Sequence, residues 1–164
     1  MKNDAQKTSL EFAPPHLDSA ELNVFLGYHL KRTFNAIHAN LMNTLREFDL
    51  RMVTYSALVV IRGHRGLRQA ELAEALGIDR GNAVAIVDEL EQRALITRGR
   101  HPDDRRSYAL SLTEEGERLC AAALQADREC EARILQGVGA DRLAELFEDL
   151  RRIEVAALSE LQSD

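Results

Sequence analysis

The fold of this chain is decided by residues 67–116, which read LRQAELAEALGIDRGNAVAIVDELEQRALITRGRHPDDRRSYALSLTEEG. Two short helical patterns, over 68–76 and 79–94, lie on either side of Gly77, the residue type that most readily adopts the left-handed conformation at a helix end. Two alternating runs follow, over 95–100 and 107–112, on either side of a charged, proline-containing tip. This order predicts a helix-turn-helix followed by a β-hairpin wing.

The second helical pattern separates into an apolar face and a polar face. Asp79 is placed to cap it by accepting a hydrogen bond from a first-turn N–H. The spacing predicts a buried stripe of Ala83, Ile86, Val87, Leu90 and Ala94. The opposite face, where small residues permit close approach to a groove, carries Arg80, Gly81, Asn82, Val84, Ala85 and Asp88.

Helical patterns flank this unit on both sides. From Asp18 to Phe48, apolar residues recur at three- and four-residue steps and predict one long amphipathic helix. Residues 52–64 are rich in β-branched residues but do not alternate, so we expect a buried helix that is ended by Gly63 and Gly66. Thr113 is the expected N-cap of a helix reaching about Gly137, whose inward residues are predicted to be Ala121, Ala122, Ala123, Ala126 and Ala132.

A last helix after Gly139 carries a strong apolar stripe. Terminal helices with such stripes need a partner, and a second copy of the chain is the simplest one. The predicted fold is mainly α with a small β wing. Its layout is a flexible arm over 1–16, a dimerisation helix over 17–48, a winged helix-turn-helix domain that binds DNA over 49–112, and C-terminal dimerisation helices over 113–164.

The distribution of charged and apolar residues narrows the class of protein to which this chain can belong. The chain has 164 residues with a net charge of −6, but basic residues concentrate near Arg80 and on the hairpin at Arg98, Arg100, Arg105 and Arg106. The acidic remainder is expected to face away from DNA. No run approaches the roughly 20 apolar residues of a membrane span, and the N-terminus lacks the apolar core of a signal peptide, which predicts a cytoplasmic protein with no membrane partner.

Neither an enzyme nor a metal or cofactor site is predicted. The chain lacks the serine-hydrolase, zinc-protease, P-loop and Rossmann motifs. His29 and His38 are nine residues apart on one predicted helix, so they face opposite sides and cannot share a metal ion. Cys120 and Cys130 are separated by about 15 Å along one helix, which excludes a disulfide within it, and both are expected to be small buried apolar residues.

The segments LAEALGI, DRGNAVAIVDELEQRALITR and HPDDRRSYALSLTEEG resemble the MarR family of bacterial transcription regulators over nearly the whole chain. The most specific part is Asp104-Arg105-Arg106 followed by Leu112-Thr-x-x-Gly116. The resemblance implies a dimeric winged helix protein that binds a palindromic operator in double-stranded DNA, usually as a repressor, and is released by a small ligand. It also implies that Arg106 enters the minor groove with Asp104 as its ion-pair partner; the alternative is a solvated surface pair.

The predicted recognition helix departs from the family at two positions. Members often have Ser or Thr early in this helix and Arg near its middle, where this chain has Asn82 and Ala85. Base readout is therefore expected from Arg80, Asn82 and Val84. The alternative is that Arg80 contacts only phosphate and Asn82 supports the cap. The full set of candidate DNA contacts is Arg68, Gln69, Arg80, Gly81, Asn82, Val84, Arg98, Arg100, Asp104, Arg105 and Arg106.

Residues 35–61 are also similar to family members that sense hydroxycinnamoyl-CoA thioesters. This similarity implies a homodimeric repressor of aromatic-compound catabolism genes whose effector is a small aromatic acid or its CoA thioester. Two alternatives stay open: a regulator of stress or antibiotic-resistance genes with a phenolic ligand, and a helical dimer adaptor that does not bind DNA. Hydroperoxide sensors of the MarR family use a cysteine near the N-terminus. Residues 1–119 contain no cysteine, so the sequence disfavours a peroxide sensor. The candidate ligand contacts are His29, Lys31, Arg32, His38, Asn40, Arg46 and Tyr55.

Overall fold

The computed structural model describes residues 21–64, 66–100 and 108–162. It confirms a mainly helical fold with a small antiparallel wing. In chain order the elements of these ranges are α1 Leu26–Arg46, α2 Met52–Gly63, β1 Leu67–Arg68, α3 Gln69–Leu76, α4 Arg80–Gln92, β2 Ile96–Arg100, β3 Tyr108–Leu112, α5 Glu114–Ile134 and α6 Ala140–Leu161.

The turn between α3 and α4 forms as its residues predict. Gly77 adopts the left-handed conformation with φ 63°, and the Ile78 N–H donates to the Ala73 carbonyl at 3.0 Å. Asp79 then caps α4, since its Oδ1 accepts a hydrogen bond from the Asn82 N–H at 2.9 Å. Both local predictions for this turn are confirmed.

The wing has three strands in the order β1-β3-β2, all antiparallel. The sequence predicted only two strands, and it placed Arg68 inside a helix. In the structure Leu67 and Arg68 form β1 and pair with Leu110 and Ala109 of β3. Two residues are too few to produce a visible alternation, so only the pairing partner reveals this strand.

The core joins the end of α1, α2, α3, α4, the wing and α5. Its fully buried side chains include Leu58, Leu72, Leu90, Ile96 and Leu110. The predicted buried helix over 52–64 is confirmed as α2. Both cysteines are buried, as expected, and burial raises the pKa of the Cys120 thiol.

Three details of the predicted helices are wrong. Residues 21–24 form a turn, so the first helix begins only at Leu26 rather than near Asp18. Ala94 is exposed with φ 55°, because α4 has ended and the chain reverses there. The predicted inward alanines Ala121, Ala122 and Ala132 are exposed, because α5 turns another stripe inward: Gly116, Cys120, Ala123 and Cys130. The predicted arm over 1–16 lies outside the described residues.

Two helices keep large apolar faces uncovered in the single chain. α6 buries none of its residues, although it carries Leu146, Phe147, Ile153, Val155 and Leu158. α1 exposes Leu26, Leu30, Phe34 and Ile37. None of the helices described is long and apolar enough to cross a membrane.

The wing is joined to α5 at a close backbone contact. Thr113 donates its N–H to the Leu95 carbonyl at 3.0 Å, and its Oγ1 accepts a hydrogen bond from the Gly116 N–H at 3.0 Å. A Cβ atom at Gly116 would lie 1.9 Å from the Leu95 carbonyl oxygen. In this chain the Leu-Thr-x-x-Gly pattern therefore combines an N-cap with a position that has no room for a side chain.

We expect Gly116→Ala to lower the free energy of unfolding by about 2 kcal/mol or more, since the obstructing atom is backbone and the junction must shift. Urea unfolding measures the change. Gly63→Ala, at the end of α2 where an added Cβ would meet nothing within 4 Å, is the matched control and is expected to change stability by less than about 1 kcal/mol. Equal stability of the Gly116 variant and the natural protein would contradict this account.

Candidate DNA-binding interface

The N-terminal half of α4 presents an exposed face built largely from small residues. Arg80, Gly81, Asn82, Val84 and Ala85 are all exposed. The inner side of the same helix buries Ala83, Ile86, Val87 and Leu90, so packing fixes which side faces outward. Such a face leaves room for the helix to approach a surface closely, with Arg80 as its cation.

The Asn82 side chain is engaged with the cap of α4. Its Nδ2 donates to Asp79 Oδ2 at 2.5 Å, while the Asn82 N–H donates to Oδ1. The hydrogen bond from this backbone N–H is the main cause that lowers the pKa of the Asp79 carboxyl. The geometry matches the interpretation in which Asn82 supports the cap, and a base contact would require its side chain to leave Asp79.

The candidate residues on the wing occupy different surroundings. Arg100 is exposed at the end of β2, whereas Arg98 forms ion pairs with Asp88 and Glu91 of α4. Asp104, Arg105 and Arg106 lie outside the described residues, between Arg100 and its Cα partner Tyr108. The structure therefore does not place the predicted minor-groove arginine.

Arg68 and Gln69 are half-buried where β1 meets α3. The Arg68 N–H donates to Glu71 Oε2 at 2.8 Å, which caps the start of α3. Within the described residues, Arg68 Nε is buried without a hydrogen-bond partner. These two residues lie at the beginning of the helix-turn-helix and not on the exposed face of α4.

Five of the candidate ligand residues make side-chain contacts within α1 or with the turn before it. His29 Nε2 lies 2.7 Å from the Asn23 carbonyl oxygen. Lys31 Nζ is 5.7 Å from the centre of the Phe34 ring, on which His38 stacks. Two further contacts are the hydrogen bond from Arg32 Nη1 to Tyr28 Oη at 3.0 Å and that from Asn40 Nδ2 to the Ala36 carbonyl at 2.9 Å.

Tyr55 lies apart from these five residues. It is buried on α2 and donates its O–H to Asp127 Oδ2 of α5 at 2.8 Å. Burial, together with this hydrogen bond, raises the pKa of the Tyr55 phenol. In the single chain Tyr55 therefore links two helices through a buried hydrogen bond.

Arg46, the remaining candidate, lines a cleft of about 360 Å³ between the end of α1 and α4. Sequence reasoning missed the other two arginines of this cleft, Arg51 and Arg93, because each stands next to a helix end and belongs to no motif. Arg93 Nη1 donates to the Asp49 carbonyl at 2.8 Å, and Arg51 pairs with Glu89. The remaining lining residues are the acidic Asp49 and Glu89 and the apolar Met42 and Leu50.

Comparison with known proteins identifies the family. The model of the MarR family matches residues 48–107. The chain is also 34% identical over 114 residues to a protein of Thauera aromatica assigned as a transcriptional regulatory protein for the hcr operon, a match that covers 66% of this chain and 69% of the relative. The chain belongs to the MarR family. It is therefore a MarR-family transcriptional regulator, and the resemblance seen in the sequence is confirmed.

Solved structures agree with this membership. The chain superposes on the transcriptional repressor CouR bound to a 23-mer DNA duplex with a TM-score of 0.77 and 34% identity, covering 84% of this chain and 98% of CouR. CouR from Rhodococcus jostii RHA1 bound to p-coumaroyl-CoA matches with a TM-score of 0.74 and 30% identity, covering 80% and 93% of the two chains. MarR-family regulators with these bound partners therefore share the fold of this chain.

We expect Asp79→Ala to lower the melting temperature, because the first turn of α4 loses its acceptor. The folded-state pKa of Asp79 is depressed, so its contribution is present above the unfolded pKa and is lost as pH falls through the folded pKa. The difference in melting temperature between variant and natural protein should therefore shrink below about pH 4.

Thermal unfolding at neutral and acidic pH measures both effects. Asp141→Ala is the matched control, since this acidic residue is exposed in the first turn of α6 but does not cap it. A pH-independent difference for Asp79→Ala would contradict the assigned role of the carboxylate.

Proposed function

We propose that this regulator is a repressor that binds a palindromic operator with α4 in the major groove and the wing at the adjacent minor groove. The observation that carries the proposal is the exposed face of α4, on which Arg80 and Val84 stand among small residues while the opposite face is buried. Similarity to CouR bound to a DNA duplex supports it. The wing strands adjoin the same helix and place Arg100 at their outer end.

The proposed operator is palindromic because the proposed repressor is a homodimer. The uncovered apolar faces of α1 and α6 are large for a single soluble chain. A second copy covers both faces and relates two recognition helices by two-fold symmetry, which requires two equivalent half-sites.

Each proposed DNA contact has a chemical reason. Arg80 donates two hydrogen bonds to a guanine edge, and Val84 packs on a thymine methyl group. Arg106, oriented by Asp104, enters a narrow minor groove where the negative potential is enhanced. The remaining contacts serve to position the protein on phosphate groups; they involve Arg68, Gln69, Gly81, Asn82, Arg100 and Arg105.

We expect Arg80→Ala to weaken operator binding more than binding to random DNA, by about 1–3 kcal/mol of discrimination. Arg106→Ala should weaken binding most at operators with an A·T-rich flank. Mobility-shift titrations with DNA upstream of the gene for this chain measure both. Arg118→Ala, which removes an exposed arginine paired with Glu115 on α5, is the control and should leave affinity unchanged.

Two results would overturn parts of this proposal. Equal weakening on operator and random DNA would make Arg80 a phosphate contact. If the natural protein shifts no candidate promoter even at low salt, the helical dimer adaptor becomes the better description.

The proposed effector is a small aromatic acid or its CoA thioester, which makes the regulated genes those of aromatic-compound catabolism. Similarity to CouR bound to p-coumaroyl-CoA supports this class. A ligand changes operator affinity only if it binds the two arrangements of the dimer differently. The cleft that contains Arg46, Arg51 and Arg93 joins α1 to α4, so an anionic group bound there changes the position of the recognition helix relative to the dimerisation helix.

We expect p-coumaroyl-CoA to raise the melting temperature and to release operator DNA, with free CoA and p-coumarate acting more weakly. Arg46→Ala should weaken the response to the thioester by about tenfold, because a charge-assisted contact to phosphate is lost. Thermal-shift and operator-release titrations measure this effect, with Arg142→Ala on the exposed surface of α6 as control. A response only to uncharged phenols would favour the stress-regulator alternative.

A further inference from the structure

Arg98 of β2 reaches α4 and contacts two carboxylates. Its Nη2 pairs with Asp88 Oδ1, and its Nε lies 3.3 Å from Glu91 Oε2. The Arg98 side chain is only 28% exposed, compared with 45% for Asp88 and 44% for Glu91. One guanidinium group therefore lies between two acidic residues that are nearly one helical turn apart.

The two carboxylates belong to the same side of α4 as the proposed base-reading residues. Arg80, Val84, Asp88 and Glu91 follow at four-, four- and three-residue steps, which places them along one face of the helix. The face is therefore basic at the beginning of α4 and acidic near its end. Without a cation between them, the two carboxylates would repel the phosphates of DNA bound along this face.

Neighbouring Arg100 provides an internal comparison. Side chains two residues apart in a strand share a side, so Arg98 and Arg100 are on the same side of β2. Arg100 is exposed, while Arg98 is held against α4. Arg100 is therefore more open to an approaching phosphate than Arg98.

We infer that Arg98 is a positioning residue that joins the wing to the recognition helix and neutralises Asp88 and Glu91, and that it does not contact phosphate itself. This inference rests on the proposed function of α4 and the wing in DNA binding. The guanidinium suits the role because its charge lies within ion-pair distance of both carboxylates, although among the described residues its buried Nε makes no hydrogen bond. The Cα partner of Arg98 in the sheet is Leu110 of the core, so the bridge fixes the wing close to its base.

A double-mutant cycle tests the bridge. We expect Arg98→Gln to lower operator affinity by about tenfold in the natural sequence but by less than about twofold in the Asp88→Asn/Glu91→Gln background, where no bridge remains to be broken. An equal loss in both backgrounds would overturn the inference, because a phosphate contact is independent of the two carboxylates.

Two further variants sharpen the comparison. Arg100→Gln is the matched control and should lose the same affinity in both backgrounds, as expected for a direct phosphate contact. Arg98→Lys keeps the charge but replaces the fork by a single ammonium group. It should retain most of the operator affinity, because the charge that neutralises Asp88 and Glu91 remains, and a loss equal to that of Arg98→Gln would contradict the neutralising role.

An unfolding experiment without DNA tests the bridge between the wing and α4 independently of the proposed DNA-binding function. The effects of Arg98→Gln and of Asp88→Asn/Glu91→Gln on the free energy of unfolding should be non-additive, as measured by urea unfolding. Additive effects combined with intact operator binding would refute the bridge alone. Failure of the natural protein to bind any operator would refute the proposed function, and with it the neutralising role of Arg98.

Discussion

The inner face of α4 must be buried, and the rest of the interface depends on that constraint. Val87 and Leu90 have no exposed surface, and they belong to the same core cluster as Leu58 of α2 and Leu72 of α3. Burying these side chains is favourable at roughly 1.5–3 kcal/mol each. Once one face of a helix is packed against the core, the helix cannot rotate about its own axis. This burial therefore decides which residues of α4 face solvent.

Arginine–carboxylate pairs then hold α4 on both flanks. On one side the connection between α1 and α2 is tied to it through Arg51 and Glu89, and on the other side the wing is tied to it through Arg98. The groups are partly exposed, so each pair contributes little to stability, typically less than about 1 kcal/mol. The pairs instead affect geometry, because they fix the orientation of α4 relative to the wing and to α1.

The uncovered faces of α1 and α6 complete this arrangement. In the single chain the end of α1 and helices α2 to α5 share a core, whereas α6 has no buried residue at all. A helix with such a stripe gains most of its stability from packing rather than from propensity. Assembly is thus the natural way to stabilise α6, and in a dimer the connection from α1 to α4 would make the position of the recognition helix sensitive to the interface.

The sequence by itself determined the features that depend on neighbours in the chain. Gly77, Asp79 and Thr113 act within one helical turn, and the stripe of α4 repeats with the helical period, so all were predictable. The tertiary structure decided what depends on distant partners. Tyr55 meets Asp127 across 72 positions, Arg93 meets Asp49 across 44, and β1 exists only through β3. The buried face of α5 also depends on distant partners. Its many alanines are compatible with either side of the helix facing the core, and only the packing determines which side is buried.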